Sequence, residues 1–168
     1  DLYFTDQGMT GLHDPTGKLY RKRANGILEC LVDNVPSPNG LVLNLEETAV
    51  YLNVTRANAV WRVPMRQDGS VFKVGTFIQL SGSLGGPDGI AVDEDGNLAV
   101  VQFGSGSVWV FSKLGEPVYR IRSCRGLGTT NVAYGGPENK TLYITESDSG
   151  AVLACDMPVA GRKMYSHM

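Results

Sequence analysis

No stretch of this sequence runs to 18 consecutive apolar residues, so none reads as a transmembrane helix. Excess charge of either sign is lacking too. Fifteen Lys+Arg against 17 Asp+Glu leave a net charge of −2, which gives no global electrostatic reason to expect nucleic acid or an anionic membrane as partner. Cysteine is scarce. Cys30, Cys124 and Cys155 are odd in number and widely spaced, with no CxxC pair and no zinc pattern. They read as free, partly buried thiols in a reducing compartment, which places the protein in the cytoplasm. Also missing is any 3.6-residue apolar period sustained over three turns, which argues against a helical fold. The chain opens at Asp1 with neither an initiator Met nor a signal sequence, so residues upstream are expected.

Glycine is abundant, 21 of 168 residues with 8 Pro, well above the usual share of about 7%. The length by itself predicts one domain. The apolar runs are short, rich in Val, Leu, Tyr and Trp, and bounded by Gly, Asp, Asn and Ser, which is a strand pattern. They also resemble one another. Gly40-Leu41-Val42-Leu43 leads through a Glu46-Glu47 turn to Val50-Tyr51-Leu52 and Ala59-Val60-Trp61. Gly89-Ile90-Ala91-Val92 leads through Asp95-Gly96-Asn97 to Leu98-Ala99-Val100 and Ser107-Val108-Trp109. Asn131-Val132-Ala133-Tyr134 leads through Pro137-Glu138-Asn139-Lys140 to Leu142-Tyr143-Ile144 and Ala151-Val152-Leu153. The offset between the second and third runs is constant: Val50 to Val60, Leu98 to Val108, Leu142 to Val152. A fourth copy opens the chain, Leu2-Tyr3-Phe4 with Lys18-Leu19-Tyr20, across a longer turn that carries His13 and Asp14.

A step of about 44 to 48 residues with three or four short strands per unit predicts an all-β fold, a β-propeller of four-stranded antiparallel blades. Its expected parts are a partial blade with a long turn at 1–34, blades at 35–84 and 85–126, and a C-terminal blade at 127–168, with Met164-Tyr165-Ser166-His167 as last outer strand. That amounts to about 3.6 blades, and propellers close with four to eight. Either a missing half or a second copy, as a homodimer covering the open faces, is therefore expected.

In each copy one position precedes the first apolar run: Asn39, Asp88 and Thr130. Innermost strands of a propeller line its channel, so an amide oxygen from Asn39 and a carboxylate from Asp88 would converge there and suit a hard divalent cation. The alternative is that Pro38-Asn39-Gly40 and Pro87-Asp88-Gly89 are ordinary turns. His13 and Asp14 are candidates for a lid. Asp6, Glu146 and Ser147 end strands of the second run and are candidates to line the channel, although such residues are more often structural. Asp93-Glu94-Asp95-Gly96-Asn97 imitates an EF-hand start without its twelfth-position Glu and reads as a hairpin turn. Arg21-Lys22-Arg23 reads as a solvated face, Trp61 and Trp109 as blade packing, and the sequons at Asn53 and Asn139 as chance matches.

Pro38-Asn39-Gly40 and Gly86-Pro87-Asp88-Gly89-Ile90 resemble two metal-site motifs of the gluconolactonase / luciferin-regenerating enzyme / regucalcin family. Leu2-Tyr3-Phe4-Thr5-Asp6 with Gly17-Lys18-Leu19-Tyr20-Arg21 resembles its middle hairpin. Thr130 to Gly136, running on to Thr141-Leu142-Tyr143-Ile144-Thr145, is similar to its C-terminal signature. The resemblance implies a six-bladed propeller with one divalent metal in its channel, calcium first, with zinc, magnesium or manganese as alternatives. It also implies hydrolysis of a small-molecule lactone or ester. Asn39 and Asp88 become metal ligands on that basis, with Asp88 also the base or proton shuttle. The family's other two ligands, a Glu and an Asn, lie upstream of the matched region. A His of the organophosphate-cleaving branch falls at about Ala133, so the resemblance does not extend to that subtype. The competing expectation is a non-catalytic ligand- or protein-binding propeller, or an inactive truncated homologue.

Overall fold

The computed structural model describes residues 1–165. Among these described residues fourteen strands make four antiparallel sheets in which every strand pairs with a sequence neighbour. The first holds β1 (Leu2–Asp6), β2 (Gly17–Lys22) and β3 (Leu28–Val35). The second holds β4 (Pro38–Leu43), β5 (Ala49–Val54), β6 (Ala59–Pro64) and β7 (Gly75–Gln79). The third holds β8 (Gly86–Val92), β9 (Leu98–Phe103), β10 (Ser107–Phe111) and β11 (Pro117–Arg122). The fourth holds β12 (Thr129–Gly135), β13 (Thr141–Glu146) and β14 (Ala151–Asp156). These successive meanders are the sheets expected of a partial propeller. Met164 lies outside any strand, and Ser166 and His167 of the expected last outer strand lie outside the described residues.

The hairpins form where the turn chemistry places them. The Asn44 side-chain oxygen accepts the Thr48 and Ala49 N–H groups at 2.9 and 2.8 Å, closing β4 onto β5. Asp93 does the same for β8 and β9: Oδ1 accepts from the Asp95 and Asn97 N–H groups, and Oδ2 from the Asn97 amide. Its carboxylate is committed to the hairpin, as an Asx turn requires.

Two compact units result, Asp1–Ser81 with Gly85–Pro87, and Gly82–Leu84 with Asp88–Met168. In the first, Leu19, Val35, Val50, Leu52, Val54 and Val63 form the core, with Trp61 packed against it. In the second, β9, β10, β12 and β13 supply Ala99, Val101, Val108, Val110, Val132, Tyr134, Leu142 and Ile144. Every residue of β5 is buried, so this strand is apolar throughout rather than alternating. The Trp109 indole N–H donates to Gln102 Oε1 at 3.0 Å, and Arg120 stacks on its ring at 4.8 Å.

Three expectations are corrected. Arg21 is not on a solvated face: it is 5% exposed, pairs with Glu29 at 2.8 Å and donates to the Gly69 carbonyl at 3.0 Å. Arg21 and Glu29 face each other across β2 and β3, so register satisfies a charge that burial alone would penalise. The cysteines are free, as expected, but Cys30 and Cys124 are exposed rather than partly buried. The Pro-Asn-Gly and Pro-Asp-Gly segments are not turns. Both lie inside strands, β4 and β8.

Candidate functional site

Asn39 is the second residue of β4 and half-buried. The β4–β5 register shifts between Pro38 and Leu41, so Asn39 sits on a bulge that leaves the regular ladder. Bulges re-aim side chains and recur beside active sites. Thr130 occupies the corresponding place in β12, where the register shifts between Thr129 and Asn131. Its hydroxyl is 2.7 Å from the Thr145 hydroxyl. Asp88 is the third residue of β8 and half-buried like Asn39.

A threonine hydroxyl grips the backbone at each residue, at Asn39 itself and at Pro87 just before Asp88. Thr5 Oγ1 donates to the Asn39 carbonyl at 2.9 Å, and Thr55 Oγ1 donates to the Pro87 carbonyl at 2.8 Å. Each threonine belongs to the chain segment of the sheet before. Close approach is made possible by glycine. A Cβ on Gly86 would lie 2.1 Å from the Thr55 carbonyl oxygen, and one on Gly89 would lie 2.7 Å from Asn131 Cα. Backbone atoms cannot step aside as a side-chain tip can, so the residues flanking Pro87-Asp88 are limited to glycine.

The other candidates separate. Asp6 ends β1, exposed, and accepts the Gly8 N–H at 3.0 Å. Asp14 is exposed, and its backbone closes the long turn: its N–H donates to Gly11 at 3.3 Å and its carbonyl accepts from the Thr10 hydroxyl. His13 borders a cavity of about 550 Å³ beneath that turn, which Ser37 and Arg56 also line. Sequence reasoning missed Ser37 and Arg56. Adjacent prolines around Ser37 were the available signal for an unusual backbone.

Glu146 is 1% exposed, and its carboxylate accepts from the Ser149 hydroxyl and from the Asp148 and Ser149 N–H groups, each N–H at 2.9 Å. Ser147 Oγ donates to the Gly128 carbonyl at 3.0 Å. Both residues thus anchor the loop ends that join β11 to β12 and β13 to β14. The Ser149 hydroxyl first, then those N–H groups, hold the Glu146 carboxyl below its usual range. Because folding lowers this value, the stabilisation is fully present above the ordinary carboxylate range and is lost as pH falls through the lowered one. We expect Glu146→Gln to flatten the acid limb of melting temperature against pH; an unchanged acid limb in this variant would show that Glu146 does not contribute to it.

As donors, Asn39 and Asp88 offer two hard oxygens and no sulfur or imidazole, a chemistry that fits calcium, magnesium or manganese. Among the described residues no group of three or more His, Cys, Asp or Glu gathers to hold an ion. The family model for the SMP-30/Gluconolactonase/LRE-like region matches residues 1–148. The chain belongs to this family. It is 29% identical over 122 residues to lactonase drp35 of Staphylococcus aureus strain USA300, covering 71% of this chain and 38% of that protein. Against lactonase drp35 of Staphylococcus saprophyticus the identity is 30% over 123 residues, with the same coverage. The chain thus spans 38% of the length of these curated relatives.

Among solved structures, a calcium-binding protein, regucalcin, from Agrobacterium tumefaciens superposes with a TM-score of 0.76 at 26% identity, over 89% of this chain and 55% of that one. A gluconolactonase from Xanthomonas campestris gives 0.72 at 23% identity, over 85% and 45%. With these likenesses the four sheets are a partial β-propeller of the family's kind. No helix among the described residues is long and apolar enough to cross a membrane.

Proposed function

We propose that this chain contributes Asn39 and Asp88 to the divalent-cation site of a hydrolase acting on small-molecule lactones or related esters, with calcium as the foremost ion. The observation that carries this reading is the matched placement of the two residues. Each is half-buried near the start of the first strand of a four-stranded sheet, beside a carbonyl pinned by a threonine hydroxyl. The family match and the lactonase relatives support the reaction class. A bound cation would supply polarisation of the substrate carbonyl or of a water. The Asp88 carboxylate would take the proton from the attacking water and return one to the ring oxygen. Asn39 would hold position through its side-chain oxygen, with its backbone fixed by Thr5.

Two side chains leave a shell of six to eight oxygens incomplete. The remaining donors would come from groups outside these 168 residues, in a longer chain or in a second copy forming a homodimer. Three free thiols fit a reducing compartment such as the cytoplasm. The test, on a longer chain or the homodimer that completes the shell, is acid release from a panel of γ- and δ-lactones with calcium, zinc or manganese added. Turnover above the uncatalysed rate with at least one ion is expected; none with any of them would remove the reading.

A further inference from the structure

The cavity beneath the long β1–β2 turn has no part in the chemistry assigned to Asn39 and Asp88. At about 550 Å³ it falls within the size range of small-molecule sites. Its wall includes Gln7, Thr10, Gly11, His13, Ser37 and Arg56. Among its lining residues Arg56 carries the one permanent charge, and none is acidic. No carboxylate among the described residues pairs with Arg56.

Ser37 is 5% exposed, and its backbone has φ of 59°, a left-handed conformation that residues other than glycine rarely adopt. Its carbonyl is held by the Thr55 N–H at 3.0 Å, while its hydroxyl makes no hydrogen bond among the described residues. A hydroxyl without a protein partner, on a residue 5% exposed and held at a strained position on a cavity wall, is open to a ligand in the cavity. Gly11 lies between the other two polar groups: a Cβ there would be 3.6 Å from Arg56 Cγ and 3.9 Å from His13 Nδ1. The turn above is itself built, since Gly8 N–H donates to Asp6, Met9 N–H donates to the Thr16 hydroxyl at 3.2 Å, and Thr10 and Thr16 hydroxyls meet at 2.8 Å.

We propose that this cavity binds the carboxylate of a small hydroxy acid, with the Arg56 guanidinium as counter-charge and the Ser37 hydroxyl as donor. Guanidinium and carboxylate match in charge and in donor geometry. That the hydroxy acid is an opened lactone rests on the proposed hydrolysis. In that reaction water oxygen bonds to the carbonyl carbon, the ring C–O bond breaks, the ring oxygen takes a proton, and the new acid gives its proton to solvent. The anion site itself rests on the cavity and its lining.

Titration of the 168-residue protein with 4-hydroxybutyrate in the presence of a chelator, followed by amide chemical shifts, separates the two claims. Saturable shifts are expected at Gly8, Gly11, Ser37 and Arg56, with neutral γ-butyrolactone producing none there. Arg56→Gln should weaken the acid by about tenfold or more. Gly11→Leu, which sets a side chain against Arg56 and His13 and leaves the charge, should weaken binding at least as much. Arg56 is exposed, so its variant should keep the parent melting temperature. Equal affinity in Arg56→Gln, or shifts only elsewhere, would overturn the proposal. Carboxylate binding without hydrolysis of any lactone would leave the anion site standing and remove the hydrolase reading; hydrolysis with these amides unmoved would remove the anion site alone.

Discussion

Replacing Asp88 with Asn is expected to lower kcat for lactone hydrolysis by about 10²–10⁴-fold, the range that a positioned acid–base group supplies. The substitution is close to isosteric. It keeps one oxygen for a cation but removes the group that accepts a proton at neutral pH. Because Asp88 is half-buried in β8 beside a carbonyl that Thr55 fixes independently, the strand should survive the change. The melting temperature should therefore stay near that of the parent while turnover falls. Asn39→Ala should differ in kind. It removes an oxygen without removing the base, so the loss should be partly restored by raising the calcium concentration. Steady-state kcat and KM measured across calcium concentrations distinguish the two outcomes. Equal turnover in Asp88→Asn and the parent would show that Asp88 moves no proton.

The largest structural effect is expected from Leu52→Ala. Leu52 is 0% exposed, at the centre of β5, the strand of the first unit buried along its whole length. It stands opposite Leu41 of β4 and Trp61 of β6, and it belongs to the core with Leu19, Val50 and Val63. Truncation removes buried methyl groups, and neighbours fixed by two strand ladders cannot collapse into the space. A cost of about 2–5 kcal/mol is expected, a large part of the stability of a small domain. Leu28 in β3 is exposed and serves as control; Leu28→Ala should cost less than about 0.5 kcal/mol. Urea unfolding midpoints at constant slope measure both.

The sheets were legible because the sequence marks both ends of each hairpin. Asn44 and Asp93 capture the N–H groups of their own turns, and the apolar runs on either side have only one register that buries them together. Asn39 and Asp88 read as preceding the apolar runs, whereas the strands extend back to include both. The bulge at Asn39 and its threonine contact were not legible, because Thr5 reaches Asn39 from a different sheet and no local pattern encodes that approach. Arg21 shows the converse. Its partner Glu29 was in view on the next strand, but a run of three basic residues hid the fact that alternate side chains point to opposite faces.

His13 and Asp14 were paired by adjacency, yet only His13 lines the cavity, while Asp14 spends its backbone closing the turn. Arg56 was out of reach of pattern reading, and at Ser37 the flanking prolines signal an unusual backbone but not a cavity wall. Their proximity depends on a left-handed residue between two prolines and on the short 3-10 turn at Thr55–Ala57, both products of through-space packing.

The most direct measurement of the central claim is the initial rate of δ-lactone hydrolysis by the form that completes the ligand shell, a longer chain or the homodimer, before and after chelation and then with calcium restored. The account predicts that chelation removes the enzymatic rate and that calcium returns it in the parent but not in Asp88→Asn. A rate indifferent to chelation, or equal in parent and variant after calcium is restored, would contradict it.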